Sequence, residues 1–337
     1  MEQGHETTEG APAEGAGRPA RRTVGRLRRG LLAALVAAAV AVPLAGATRP
    51  QVPAPAPTEL PPPTAVTLDA AYAAHRADAA EAARTADRHG YGDRATAERG
   101  LSQRKLLAFD GRGAGLVTEV LGDLAHADRV AVLVPGSDTG IDTYERFRDT
   151  ALALHERLTR QAPAGVRTAV VAWLGYETPG TLSPAVTTTG RAEDAAPELR
   201  RLIDDVRSVA GPRVRLSLLC HSYGSVVCAR AASGLGVDDL VFLGSPGTGA
   251  DTAADLRTRA RVWAARGAGD WVEHVPHIDA ELFGTTVGFG TDPVSREFGA
   301  RVFAAGDGGH SDYYAPGSLS LANLTRIVLG HTQEVTR

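Results

Sequence analysis

Leu216-Ser217-Leu218-Leu219-Cys220-His221-Ser222-Tyr223-Gly224-Ser225-Val226-Val227-Cys228-Ala229 is the stretch that decides the reading of this chain. A continuous apolar run stops at a serine, and small residues come after it. The run has the character of a strand buried on both faces. The residues after Ser222 suit a helix packed closely on that strand. A sharp strand-to-helix turn of this kind lifts a serine above the sheet and places it at a helix N-terminus, whose dipole favours negative charge. The pattern is G-x-S-x-G with Gly224 in place and Cys220 where the first glycine would stand. Cys220 reads as a small apolar residue at the buried end of the strand, not as the nucleophile. Cys220 and Cys228 are the only two cysteines, too few for a disulfide framework, and a bridge between them is disfavoured.

A serine hydroxyl becomes a useful nucleophile only beside a base. For a serine on such a turn the expected chain order is serine, acid, histidine. His310 lies in Gly308-Gly309-His310-Ser311-Asp312-Tyr313-Tyr314, after the last apolar run and before the final amphipathic segment. Glycines ahead of it let the loop fold back over Ser222. Asp270 follows the preceding apolar run behind Gly267-Ala268-Gly269. Its expected role is to hold the imidazole in one tautomer and stabilise the charged ring. The bland reading makes Asp270 the cap of a short helix. Asp292 and Glu273 are its rivals, and His221, His274 and His277 are weaker candidates for the base. An oxyanion needs backbone donors. The expected ones are the N–H of Tyr223 and that of Ser137, with Asp138 as runner-up, in Pro135-Gly136-Ser137-Asp138-Thr139-Gly140.

Working outward, short apolar runs recur at 106–109, 115–117, 130–134, 168–173, 214–219, 240–243, 260–265 and 301–305. Between them apolar residues fall at helical spacing, as in Leu199, Leu202, Ile203 and Val206. Alternating strands and helices predict an α/β fold, a three-layer sandwich with a mostly parallel sheet. The first two runs, joined by Asp110-Gly111-Arg112-Gly113, read as an antiparallel hairpin. Ligands of open α/β sheets sit beyond the carboxyl ends of the strands, where Ser222, Asp270 and His310 fall. Little chain separates the run at 240–243 from that at 260–265, so the pocket walls are expected from 175–195 and 272–298.

The N-terminal part has a different character. Residues 1–29 read as a polar, basic tail and 30–48 as a signal peptide or membrane anchor, with Ala45-Gly46-Ala47 offering a cleavage site. The arginine block is expected to stay in the cytoplasm and the chain beyond residue 48 outside it, secreted or anchored at the outer face of the membrane. Residues 49–66 are a proline-rich linker that builds no core, 67–103 a helical segment, and 104–337 the catalytic domain. With 36 basic and 39 acidic residues, nothing in the charge calls for a nucleic-acid partner. His274, His277 and Asp279 have metal-like spacing, but Pro276 breaks the helical geometry such spacing needs. No metal or cofactor is expected.

At Val134-Pro135-Gly136, Cys220-His221-Ser222-Tyr223-Gly224-Ser225, Gly267-Ala268-Gly269-Asp270 and Gly309-His310-Ser311-Asp312-Tyr313-Tyr314 the chain resembles the α/β-hydrolase superfamily. The resemblance runs over roughly 104–330. It is closest to exported hydrolases of high-GC bacteria whose substrates are unassigned. It implies the same Ser222, Asp270 and His310 triad and supplies no substrate; the residues themselves are read as those of a serine hydrolase, esterase- or lipase-like, that acts on a small ester or lipid-like substrate through an acyl-enzyme. An envelope acyltransferase using the same site, or a catalytically degenerate binding module, are the other two classes the sequence leaves open.

Overall fold

Alanine spacing builds the first helices. In α1 (Leu68–Arg88) the small residues Ala79, Ala82 and Ala86 are fully buried. A second helix, α2 (Gly92–Leu101), packs there through Ala95 and Leu101. The sequence showed no separate helix at 92–101, because its exposed positions are polar and a glycine opens it. The proline-rich stretch does more than separate: Val52 is buried against Ala86 and Ala95, its carbonyl accepts from the Gly113 N–H (3.2 Å), and Thr58 bonds Asp78.

The computed structural model describes Met1 and residues 52–337, apart from 182, 276–278 and 283–284. Residues 49–337 form one compact unit. The tail and the signal or anchor read over 1–29 and 30–48 lie, Met1 aside, outside the described residues, as does His277. Among the described residues no helix is long and apolar enough to cross a membrane.

β1 (Leu106–Asp110) and β2 (Leu116–Gly122) form the antiparallel hairpin. β2 runs further than the apolar run at 115–117, because Thr118 and Glu119 are buried in it as polar residues. Glu119 is matched by Arg148 (2.9 Å) and the Tyr144 hydroxyl (3.1 Å). In β3 (Arg129–Val134), Val130, Val132 and Val134 turn to one side, Ala131 and Leu133 to the other. After α3 (Tyr144–Gln161) come β4 (Thr168–Leu174), α4 (Gly190–Ala210) and β5 (Arg215–His221). α5 (Gly224–Ala231), β6 (Asp239–Leu243) and β7 (Arg261–Ala265) follow. β8 (Asp279–Leu282) and β9 (Thr285–Gly288) pair as a separate hairpin inside the stretch read as loop, and β10 (Arg301–Val302) and α6 (Leu319–Leu329) complete the chain.

The main sheet has the order β1-β2-β4-β3-β5-β6-β7-β10. β2 is antiparallel to β4, and every neighbour from β4 onward is parallel. Strands apolar on both sides need cover on both. Leu199, Ile203, Val226 and Val227 of α4 and α5 supply one cover, and Leu154, Leu158, Leu324 and Ile327 of α3 and α6 the other. Burying each such side chain is worth roughly 1.5–3 kcal/mol before the cost of ordering it. β10 is shorter than the run at 301–305 suggested. It lies at the sheet edge with both residues exposed, and the chain leaves it toward the site.

Candidate active site

Ser222 is one of three non-glycine residues with positive φ among the described residues, at 54°. Left-handed backbone at a residue with a Cβ costs about 1–3 kcal/mol and persists only where neighbours enforce it. Here they do. The Ser222 N–H donates to the Leu243 carbonyl (2.9 Å), tying the turn to β6. A Cβ on Gly224 would stand 2.6 Å from the Pro135 carbonyl oxygen, and one on Gly136 would stand 2.5 Å from Ser222 Cβ. Only glycines let strand, turn and loop approach this closely. The structure also corrects the reading of the cysteines. Cys220, at the end of β5, and Cys228, on α5, are joined in a disulfide that spans the turn. In an isolated motif nothing reveals that a residue two before the serine and one six after it face each other, but the sharp turn brings the strand end and the second helical turn together.

His310, beyond β10, reaches both partners. Its Nε2 lies 2.9 Å from Ser222 Oγ and its Nδ1 lies 2.9 Å from Asp270 Oδ1. Asp270, beyond β7, is 2% exposed. It does both things the sequence allowed. Its Oδ1 caps the short 3₁₀ turn Trp271–His274 by accepting from the Val272 N–H (2.9 Å), and the same carboxylate meets the imidazole. Tyr313 donates its hydroxyl to Oδ2 (2.5 Å) and accepts from the Gly267 N–H (3.1 Å). Burial alone would raise the Asp270 carboxyl, but the bonds from His310, Tyr313 and Val272 outweigh it and hold the group down at about 2. Burial, reinforced by Asp270, pushes the Tyr313 phenol far up, so it remains a donor.

The rivals stand elsewhere. Asp292 pairs with Arg266 (2.6 Å), and Glu273 and His274 are exposed. His221 bonds the backbone of His310, not the serine. Its Nε2 is 2.7 Å from the His310 carbonyl oxygen, so the ring donates there, and its centroid is 4.6 Å from that of His310. Burial, helped by His310, lowers its pKa to about 4, so His221 stays neutral and pins the His310 loop. Gly244 was missed as well. It closes β6 at φ 52°, directly beneath the carboxylate, where a Cβ would lie 2.6 Å from Asp270 Oδ2. Its only signal is a glycine immediately after a buried strand.

The loop 135–140 is fastened by the segment behind β4. Tyr176 donates its hydroxyl to the Pro135 carbonyl (2.6 Å), Thr178 to the Thr139 carbonyl (2.7 Å), and the Asp138 N–H to the Pro179 carbonyl (3.0 Å). Asp138, the runner-up donor, is therefore spent. The N–H groups of Ser137 and Tyr223 have no protein acceptor among the described residues. A cavity of about 1030 Å³ opens over Ser222, lined by Ser137, Phe147, Val186, Tyr223, Phe289 and Tyr314 among others. Segment 175–195 thus contributes to the wall as expected. So does 272–298 through Phe289, while Phe283 and the side chain of Leu282 lie outside the described residues. Trp271, half-exposed, stands at the mouth with its ring 4.7 Å from that of His310. Among the described residues no group of side chains could hold a metal ion.

A family model described as Alpha/beta hydrolase matches residues 110–280. The chain is 31% identical over 258 residues to an uncharacterized protein of Mycobacterium tuberculosis, covering 67% of this chain and 38% of that protein. It is 32% identical over 161 residues to an uncharacterized protein of Mycobacterium bovis, covering 45% of this chain and 57% of that one. The chain therefore spans well under two thirds of the length of the curated relatives it matches. Similar solved structures include a serine hydrolase without lid from Xanthomonas campestris (19% identity, TM-score 0.40, 65% of this chain and 88% of that one). Another is esterase 2 of Thermogutta terrifontis (10% identity, TM-score 0.40, 66% and 91%).

Proposed function

The chain belongs to the alpha/beta hydrolase family, and from that premise we propose that it is a serine hydrolase of ester bonds, with Ser222 as nucleophile, His310 as base and Asp270 as the acid that orients it. One observation carries the reading: an unbroken hydrogen-bond chain from Asp270 through His310 to a serine held in left-handed backbone above a cavity. A serine that merely ended a strand would need neither the strain nor the chain.

The steps follow from the protons. Nδ1–H of His310 donates to Asp270, which leaves Nε2 as the acceptor of the Ser222 proton. Ser222 Oγ attacks the ester carbonyl while Nε2 takes its proton, and the imidazolium faces a carboxylate already ionised. The N–H groups of Tyr223 and Ser137 stabilise the oxyanion, a contribution worth about 3–4 kcal/mol per donor where it has been measured. Nε2 then protonates the leaving alcohol. Water, activated by the same nitrogen, releases the acid from the acyl-enzyme. Export belongs to the same proposal. A structural disulfide is favoured by an oxidising compartment, which agrees with the signal or anchor read from 30–48.

The test is covalent labelling of the full chain with a fluorophosphonate, read by intact mass and peptide mapping. A single adduct on Ser222, lost in His310→Ala, is the expected result. Folded protein that takes up no label would overturn the reading in favour of a binding module.

A further inference from the structure

Across the serine, the two walls of the cavity differ in chemistry. On one side α3 presents Arg146, Phe147, Asp149 and Thr150, with Thr143 just before it. Arg146 and Asp149 are exposed and line the cavity one helical turn apart, and their side chains make no ion pair or hydrogen bond among the described residues. Other arginines of this fold are paired, Arg94 with Asp142, Arg148 with Glu119 and Arg266 with Asp292. On the other side Val186, Tyr223 and Phe289 line the same cavity, and Tyr223 meets Phe289 edge to face at 5.8 Å.

The two walls belong to opposite faces of the sheet. Phe147, Tyr313 and Tyr314 pack in the core shared by α3 and α6, whereas Val186, Tyr223 and Phe289 pack in the core shared by α4 and α5. Ser222 lies just past the end of β5, between them. His310 stands on the α6 side, immediately ahead of Tyr313 and Tyr314. Since Nε2 of His310 must protonate the departing alcohol, the alcohol lies on the charged wall and the acyl group on the apolar one. An apolar alcohol there would lie against two unpaired charges, which lose solvation without compensation. A vicinal diol satisfies both at once, accepting from a guanidinium and donating to a carboxylate. The volume, at the upper end of the usual range for ligand pockets, admits both halves.

We propose that the substrate is an ester between an apolar acyl chain and a polyhydroxy alcohol, with Arg146 and Asp149 holding the alcohol and Tyr223 and Phe289 the chain. This rests on the serine-hydrolase reading above. The test compares kcat/KM for the octanoyl monoester of glucose with that for methyl octanoate, alongside fluorophosphonate labelling of the same preparations. The wild-type ratio is expected to favour the glucose ester about tenfold or more, as one or two hydrogen bonds to charged groups give. The Arg146→Ala/Asp149→Ala double variant brings that ratio to about one, and Arg146→Lys/Asp149→Asn keeps part of it. A wild-type ratio near one, with Ser222 still labelled, overturns the alcohol assignment and leaves the hydrolase reading standing. A high ratio unchanged in the double variant overturns the roles of Arg146 and Asp149. Loss of labelling in folded wild-type protein removes both proposals together.

Discussion

Replacing Asp270 by asparagine changes one atom, and the surroundings dictate which one. An amide has one acceptor oxygen and one donor nitrogen. The Oδ1 position faces two donors, the Val272 N–H and the His310 Nδ1–H, and the first is fixed by the backbone. The Oδ2 position faces the Tyr313 hydroxyl, which can rotate. In Asp270→Asn the amide oxygen therefore takes the Oδ1 place, the NH₂ group donates to the Tyr313 oxygen, and His310 keeps its proton on Nδ1. What disappears is the charge that stabilises the imidazolium. A hydrogen bond to an ionised partner is worth about 1.5–3 kcal/mol. Loss of that amount slows the reaction about 10²-fold. Where an asparagine forces the wrong tautomer, the loss is about 10⁴-fold. The assay is the second-order rate of fluorophosphonate labelling of Asp270→Asn against wild type at pH 8, supported by ester turnover. A loss near 10⁴ would refute the claim that Val272 fixes the amide. An unchanged rate would show that Asp270 does not act on His310 at all.

Tyr313→Phe leaves the Gly267 N–H and Asp270 Oδ2 without their partner, and a loss of about 1–3 kcal/mol in urea unfolding is expected; an unshifted midpoint would contradict it. Ser222→Gly abolishes labelling yet raises stability by about 1 kcal/mol, because glycine accepts the left-handed backbone at no steric cost. A variant less stable than wild type would mean that the turn is not strained. Replacing both Cys220 and Cys228 by alanine removes a bridge between residues eight apart and is expected to cost about 2–3 kcal/mol in thermal or urea unfolding. Alkylation of the denatured wild type without prior reduction would show that the bridge is not formed.

How much of this could be read from the chain depended on where the information lay. β3, β4, β5 and β6 were legible because burial on both faces leaves uninterrupted apolar runs. β2 was legible only in part, since Glu119 in its middle owes its burial to Arg148 and Tyr144, far away in sequence. The β8–β9 hairpin rests on neither pattern and forms a two-stranded sheet of its own. Ser222, Asp270 and His310 could be singled out because each comes after a strand, and the ends of parallel strands converge. The parts played by His221, Tyr313 and Gly244 are contacts of the folded state. None of them has a local signature beyond a histidine, a tyrosine and a glycine in places where many proteins have them.

The bridge across the turn also bears on how this region breathes. Without it, the start of α5 could fray away from β5 while the sheet stayed intact, and the backbone at Ser222 would relax with each such opening. Closed into a ring with both sulfurs in the core, the turn cannot open by itself. It opens only when strand and helix separate together, an event that belongs to the most protected layer of a fold. In hydrogen exchange the amides around the serine should therefore exchange as slowly as those of β5, and the left-handed backbone at Ser222 should last as long as the sheet itself.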